Sequence, residues 1–229
     1  MSHPLDRPIW SALTSERQTS LAVGANRALR FAPGYGVFAA SEDQSPESLA
    51  AMAALERPEG VICTVEADPI PVPPGLSVVK EATLAQMVLV ALAPAKARDI
   101  VIEPLTEADA PAMLALATLT EPGPFFERTH QLGDFFGVKQ DGRLLAMAGE
   151  RLKPDGFTEV SGVCAHPDAR GRGYAGALMR TVIEQILARG ETAFLHSYAD
   201  NAGAIALYRS LGFAVRSQMA MRMLASPDI

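Results

Sequence analysis

The chain has two cysteines, one tryptophan and no surplus of positive charge in its 229 residues. Each shortage narrows the field. Cys63 and Cys164 lie in apolar runs and are too few for a disulfide framework, which fits a reduced setting. With 20 basic against 26 acidic side chains the net charge is −6, opposite to the basic footprint of a nucleic-acid binder. No apolar run reaches about 18 residues, so no membrane-spanning helix is expected. The opening Met-Ser-His-Pro-Leu-Asp-Arg-Pro lacks the apolar core of a secretory signal. The four histidines (His3, His130, His166 and His196) show no H-x-x-x-H spacing, so no metal site is expected. The resulting expectation is a cytoplasmic protein without metal, membrane or nucleic-acid partners. Its oligomeric state has no sequence signature.

What is present is an ordinary globular composition, 48% hydrophobic and 20% charged, and one unusual segment. Val160-Ser-Gly-Val-Cys-Ala-His-Pro-Asp-Ala-Arg-Gly-Arg-Gly-Tyr-Ala-Gly-Ala-Leu-Met179 reads as a strand, an Arg/Gly turn and an amphipathic helix. Such a turn presents backbone N–H groups at a helix N-terminus, where partial positive charge favours a phosphate. Gly171 and Gly173 let the backbone approach a ligand, and Arg170 and Arg172 add cationic donors. A Walker-A loop is excluded, because no Lys-Ser/Thr pair follows the glycines. A dinucleotide fingerprint fits only loosely through Gly171, Gly173 and Gly176, since the acidic residue that should end a second strand is Glu191, in a loop after Gly190.

Arg170-Gly-Arg-Gly-Tyr-Ala175 resembles the acyl-CoA pyrophosphate loop of the GNAT N-acetyltransferases, Gln/Arg-x-x-Gly-x-Gly/Ala. Asn201-Ala-Gly-Ala-Ile-Ala-Leu-Tyr-Arg-Ser-Leu-Gly-Phe213 is similar to that family's other recurrent stretch, from asparagine to Tyr-x-x-x-Gly-Phe. The two motifs stand in the family's order, and the resemblance spans roughly residues 100–226.

The chain parses accordingly. Strands are expected at 100–105, 135–138, 144–151, 157–165, 192–198 and 213–224, with helices at 106–119, 173–189 and 202–211 and a short turn or helix at 125–131. Thr106 with Asp109 suggests a capping box, and Gln140-Asp-Gly142 a hairpin turn. This implies an α/β fold with a GNAT-like mixed central sheet flanked by helices. Residues 99–229 are read as the acetyltransferase domain. Residues 1–98 are read as an N-terminal α/β region compatible with a degenerate GNAT-like half that shapes the substrate site. There, 11–29 and 46–57 look helical and 60–65 and 87–92 extended, while the proline-rich 68–75 cannot be helix.

The resemblance implies acyl transfer from acetyl-CoA to a primary amine of a small molecule or peptide, with no metal. Alternatives are a CoA-binding pseudoenzyme or regulatory module, and O-acylation. The implied cofactor contacts are Val163, Cys164 and Ala165 beside the pantetheine arm, Arg170, Gly171, Arg172, Gly173, Tyr174 and Ala175 at the pyrophosphate, and Asn201 and Tyr208 near the arm. Tyr208 is the implied general acid. Glu159 is the candidate base, placed by strand alternation on one face with Ser161, Val163 and Ala165, and Glu150 is its competitor. Asn201 equally suits a helix N-cap. Cys164 reads as a buried, inert thiol. An acidic surface would favour a cationic amine.

Overall fold

The computed structural model describes residues 3–94 and 99–227. Helices α1 (Pro8–Leu13) and α2 (Pro46–Ala53) and strands β1 (Ala22–Ala25), β2 (Ala28–Phe31), β3 (Ala39–Ser41), β4 (Val61–Glu66) and β5 (Ser77–Leu89) form the N-terminal part. Then come β6 (Glu103–Pro104), α3 (Ala110–Thr120), β7 (Phe135–Gln140), β8 (Arg143–Glu150), β9 (Phe157–Ala165), α4 (Tyr174–Ala188), β10 (Thr192–Tyr198), α5 (Ala202–Leu211) and β11 (Phe213–Ala225). The fold is mixed α/β. Strands β1–β3 make a small sheet, and the rest form one eight-stranded sheet in the order β4-β11-β5-β10-β9-β8-β7-β6.

Local signals explain the C-terminal elements. Thr106 N–H donates to Asp109 Oδ2 at 2.9 Å, the expected capping box, and opens a 3₁₀ turn that leads into α3. Glu121 ends α3 in the left-handed region, φ 48°. Asp141 and Gly142, both at positive φ, close the β7–β8 hairpin. The expected strand at 100–105 shrinks to Glu103–Pro104, which pairs with Gly137 and Phe136 of β7, and Leu105 N–H also donates to Phe135 O at 2.8 Å.

Two N-terminal expectations are corrected. The segment 11–29 is α-helical only through Leu13, makes a single 3₁₀ turn at Thr19–Leu21 and then forms the β1–β2 hairpin. At Gly24 a Cβ would lie 2.3 Å from Ala28 O, so close strand pairing at that turn requires glycine. Strand β5 begins ten residues before the expected 87, at Ser77, because β11 pairs with it all the way from Leu89 back to Ser77. Long-range pairing sets its length.

Strand alternation divides the core into two faces. Ala146 and Ala148 of β8 meet Leu178, Met179, Val182, Ile183 and Ile186 of α4. Met147, between them, faces Met113, Leu116 and Ala117 of α3. The N-terminal part covers the α3 side further along the sheet, where Leu5, Ile9, Leu13 and Phe31 pack with Leu84 and Phe194. Strands from both sides of residue 98, itself outside the described residues, thus share one sheet: β5 lies between β10 and β11.

Candidate active site

Strands β9 and β10 run parallel but pair only where Phe157, Thr158 and Glu159 face Thr192, Ala193 and Phe194. Beyond that point they part. β10 continues along β5 up to Tyr198, and β9 continues along β8 up to Ala165. The inner edge of β9 from Val160 onward therefore carries backbone N–H and C=O groups without a strand partner at β10. The opening runs through the sheet and is lined by Val163, Met179, Leu195, His196 and Tyr208, with Arg151 at its far side.

A bulge at this point changes which side chains meet. The β8–β9 register shifts between Met147 and Gly149, and Gly162 sits at φ 63°. Val160 packs on the α4 side, as do Val163 and Ala165, whereas Cys164 packs on the α3 side. Strict alternation would separate Val160 from Val163. The extra residue reverses parity, so Glu159 does not share a face with Val163 and Ala165, contrary to the expectation from period 2. The Cys164 thiol is buried, which pushes its pKa up to about 11 and keeps it protonated.

After β9, His166 Nδ1 accepts from Asp168 N–H at 3.2 Å and Pro167–Ala169 make a 3₁₀ turn. Gly171 and Gly173 follow at φ 76° and 81°, and a Cβ at Gly171 would meet open space. Backbone angle, not crowding, is what asks for glycine there. Helix α4 begins with no side-chain cap, so the N–H groups of its first turn have no partner within the helix. Arg172 bonds Asp168 O at 3.1 Å, and Arg170 is exposed. Asn201 caps α5, accepting from Ala204 N–H at 3.1 Å. Six residues into α5, Tyr208 is half-buried against Phe213, ring centroids 6.4 Å apart, and burial raises its pKa.

A family model described as the Acetyltransferase (GNAT) family matches residues 98–213, just over half of the chain. A crystal structure of a GNAT-family protein from Novosphingobium aromaticivorans DSM 12444 is 45% identical, covers 98% of this chain and 99% of its own, and superposes with a TM-score of 0.90. The chain belongs to the GNAT acetyltransferase family. The ribosomal protein bS18-alanine N-acetyltransferase of Escherichia coli K12 is 31% identical over 118 residues, 49% of this chain and 79% of that one. A GCN5-related N-acetyltransferase from Kribbella flavida, 18% identical, shares the fold over 95% of each chain with a TM-score of 0.63.

In this GNAT-type N-acetyltransferase the opening ends in a buried polar chain. Glu159 is fully buried and accepts from Arg151 Nε and Nη2, both at 2.8 Å, and from Leu152 N–H at 3.4 Å. Its fourth partner is His196 Nδ1, at 2.8 Å. Burial alone would raise the Glu159 pKa, but Arg151 and then His196 outweigh it and hold the carboxyl down at about 2. Gln86 Nε2 donates to Leu5 O at 2.8 Å and contacts His196 Nε2 at 3.0 Å, while Gln86 Oε1 accepts from Arg216 at 2.8 Å. Since an amide nitrogen only donates, His196 Nε2 accepts, and its Nδ1–H donates to Glu159. His196 thus has both ring nitrogens committed, Nδ1 as donor and Nε2 as acceptor. Sequence reasoning missed Arg151, Gln86 and this role of His196.

A second recess adjoins the first through Pro122, Arg151, Ser161 and Gly162, and Phe125 and Phe135 wall it. Glu150 lies at its base, buried, 2.5 Å from Arg189 and 2.8 Å from Lys153. Two cations already neutralise it.

Proposed function

We propose that this chain transfers an acetyl group from acetyl-CoA to the primary amine of a peptide or small molecule. The observation that carries the reading is that β9, whose edge is unpaired from Val160 onward and whose Val163 lines one opening with Tyr208, leads directly into the uncapped, glycine-preceded N-terminus of α4. A pyrophosphate suits the N–H groups of residues 171–175, where a carboxylate cap is missing and the helix dipole favours an anion. The edge groups of Val163, Cys164 and Ala165 suit an amide-bearing arm, which would complete their hydrogen bonding as a strand would. Arg170, Arg172 and Asn201 flank the same path.

Acetyl-CoA, as substrate, supplies an activated acyl thioester. Tyr208 is the proton donor to the departing sulfur. Its burial-raised pKa keeps the phenol protonated at neutral pH, the state a general acid needs. The acceptor must lose a proton as well: at pH 7 an amine of pKa 10.4 is neutral in roughly one molecule in 2,500, a cost of about 4.6 kcal/mol. Glu159 is poorly suited to take that proton, since its acceptor positions are filled and its carboxyl titrates at about 2. We assign it instead to holding Arg151 and His196 in place. The bS18-alanine N-acetyltransferase relative favours a peptide amine. The N-terminal region, residues 1–98, is the part that shapes the acceptor side, and the buried, unpaired Cys63 and Cys164 suit a cytoplasmic setting.

Isothermal titration with acetyl-CoA, with NAD as control, followed by a free-thiol assay over peptide and small-molecule amines, tests this reading. Selective micromolar binding with thiol release upholds it. Binding without turnover favours a CoA-binding regulatory module, and no binding overturns the assignment.

A further inference from the structure

Arg151 is unusual in being half committed. Glu159 holds its Nε and Nη2 edge, and Phe38 of the N-terminal part lies beneath the guanidinium, 4.6 Å from ring centroid to Cζ. Nη1 makes no hydrogen bond among the described residues, although Arg151 is only 13% exposed in its side chain. A guanidinium carries five N–H donors in a rigid fork. Nη1 is not sealed off in the interior, so an acceptor from outside can reach it.

The free end of Arg151 sits where the two recesses meet. One recess holds Tyr208 and Val163, and the other is walled by Phe125 and Phe135. The chain passes close by without covering it: a Cβ at Gly123, whose φ is 129°, would stand 3.9 Å from Nη1. Because Glu159 neutralises the guanidinium, the site offers directed donors with little net charge. That suits one or two oxygens of a carbonyl or carboxylate better than a polyanion.

Resting on the N-acetyltransferase reading above, we infer that Arg151 Nη1 binds an oxygen next to the reacting amine, so that the acceptor is an α-amino carbonyl compound. The oxygen belongs to the carboxylate of a free amino acid or to the first carbonyl of a peptide. With the oxygen held at Arg151, the amine lies in the recess that also holds Tyr208. Glu159, His196 and Phe38 are positioning residues that keep the guanidinium oriented.

The test compares alanine, alaninamide and isopropylamine as acceptors of the wild-type protein. The kcat/KM values are expressed per neutral amine, because α-amino groups are far less basic than alkylamines. A site built around an oxygen should prefer alaninamide or alanine to isopropylamine by on the order of 100-fold. Preference for alaninamide assigns a peptide terminus, and preference for alanine a free amino acid; both uphold the inference. Equal use of all three, preference for isopropylamine, or acetyl-CoA binding with none acetylated overturns it. Failure of acetyl-CoA to bind in a parallel titration overturns the N-acetyltransferase reading itself, a separate result. Arg151→Lys keeps the charge and removes the second nitrogen, so it should lower the preference about tenfold through acceptor KM. An unchanged ratio in the folded variant also counts against the inference.

Discussion

Replacing Glu159 by glutamine exchanges one carboxylate oxygen for an NH2 group and tests what that carboxylate does. Arg151 donates to both of its oxygens, so whichever becomes an amide nitrogen faces a guanidinium N–H. If the nitrogen replaces Oε1, it also faces His196 Nδ1–H, and relief by a tautomer change would set His196 Nε2–H against the Gln86 amide. Gln86 cannot flip in response without setting its oxygen against Leu5 O and its nitrogen against Arg216. Every rearrangement leaves one repulsive contact, and Arg151 loses its counter-ion. Breaking a buried ion pair from one side costs about 3–5 kcal/mol. For a chain of this length that corresponds to a melting temperature lower by about 6–20 °C. The pH dependence follows from the depressed native pKa of about 2, against an unfolded value near 4.3. The stabilisation is fully present above about pH 5 and lost as pH falls toward 2. Thermal unfolding of Glu159→Gln and wild type should therefore differ most at pH 7.5, with the gap shrinking below about pH 5 to roughly half at pH 3. Coincident melting at pH 7.5, with turnover lost, would refute the positioning role and restore Glu159 as the group that exchanges the proton.

Three further outcomes are expected. Gly173→Glu puts a side chain at φ 81° and a negative charge at the loop, and should abolish acetyl-CoA binding; unchanged affinity in a titration of the folded variant would count against the phosphate site. Tyr208→Phe should lower kcat by about 100-fold with little change in acetyl-CoA affinity, and full activity would remove Tyr208 from the chemistry. Burial raises Glu66 to about 7 in spite of Arg7, so the native state holds a proton that the unfolded chain releases near 4.3. Stability from this group thus falls as pH rises from about 4.5 to 7. Glu66→Gln should flatten that slope in melting curves, and identical slopes would contradict the buried-charge account.

Legibility from sequence followed the range of the interactions. The helix after the Arg/Gly turn and the strands at 157–165 and 192–198 were readable, because period, glycine stops and turn residues are local properties. The opening was readable only through the resemblance, since nothing within β9 says that β10 leaves it after Glu159. The faces of β9 were misread, because one glycine in a bulge reverses alternation and looks like any other strand glycine. The polar chain was out of reach. Arg151 stands eight residues from Glu159, but His196 is 37 away and Gln86 lies 110 residues before His196. Only strand order brings them together.

That strand order also ties the N-terminal half to the site. Strand β5 separates β10 from β11, so residues 99–227 contain no hydrogen-bonded link of their own across that position. Gln86, toward the C-terminal end of β5, faces His196 on one neighbour and Ser217 on the other. The β11 register shifts between Val215 and Ser217, and the residue left over is Arg216, whose guanidinium bonds Gln86 Oε1 at 2.8 Å. The bulge thereby aims a cation at the one amide whose orientation sets the His196 tautomer. Phe38, from the same half, supports Arg151 from the other side. The family model begins at residue 98, yet Arg151 and His196, which we propose serve the acceptor end, lean on Phe38 and Gln86. Substitutions at Gln86 or Phe38 should therefore act on acceptor KM and leave the pyrophosphate loop untouched, a division that a freestanding C-terminal domain would not produce.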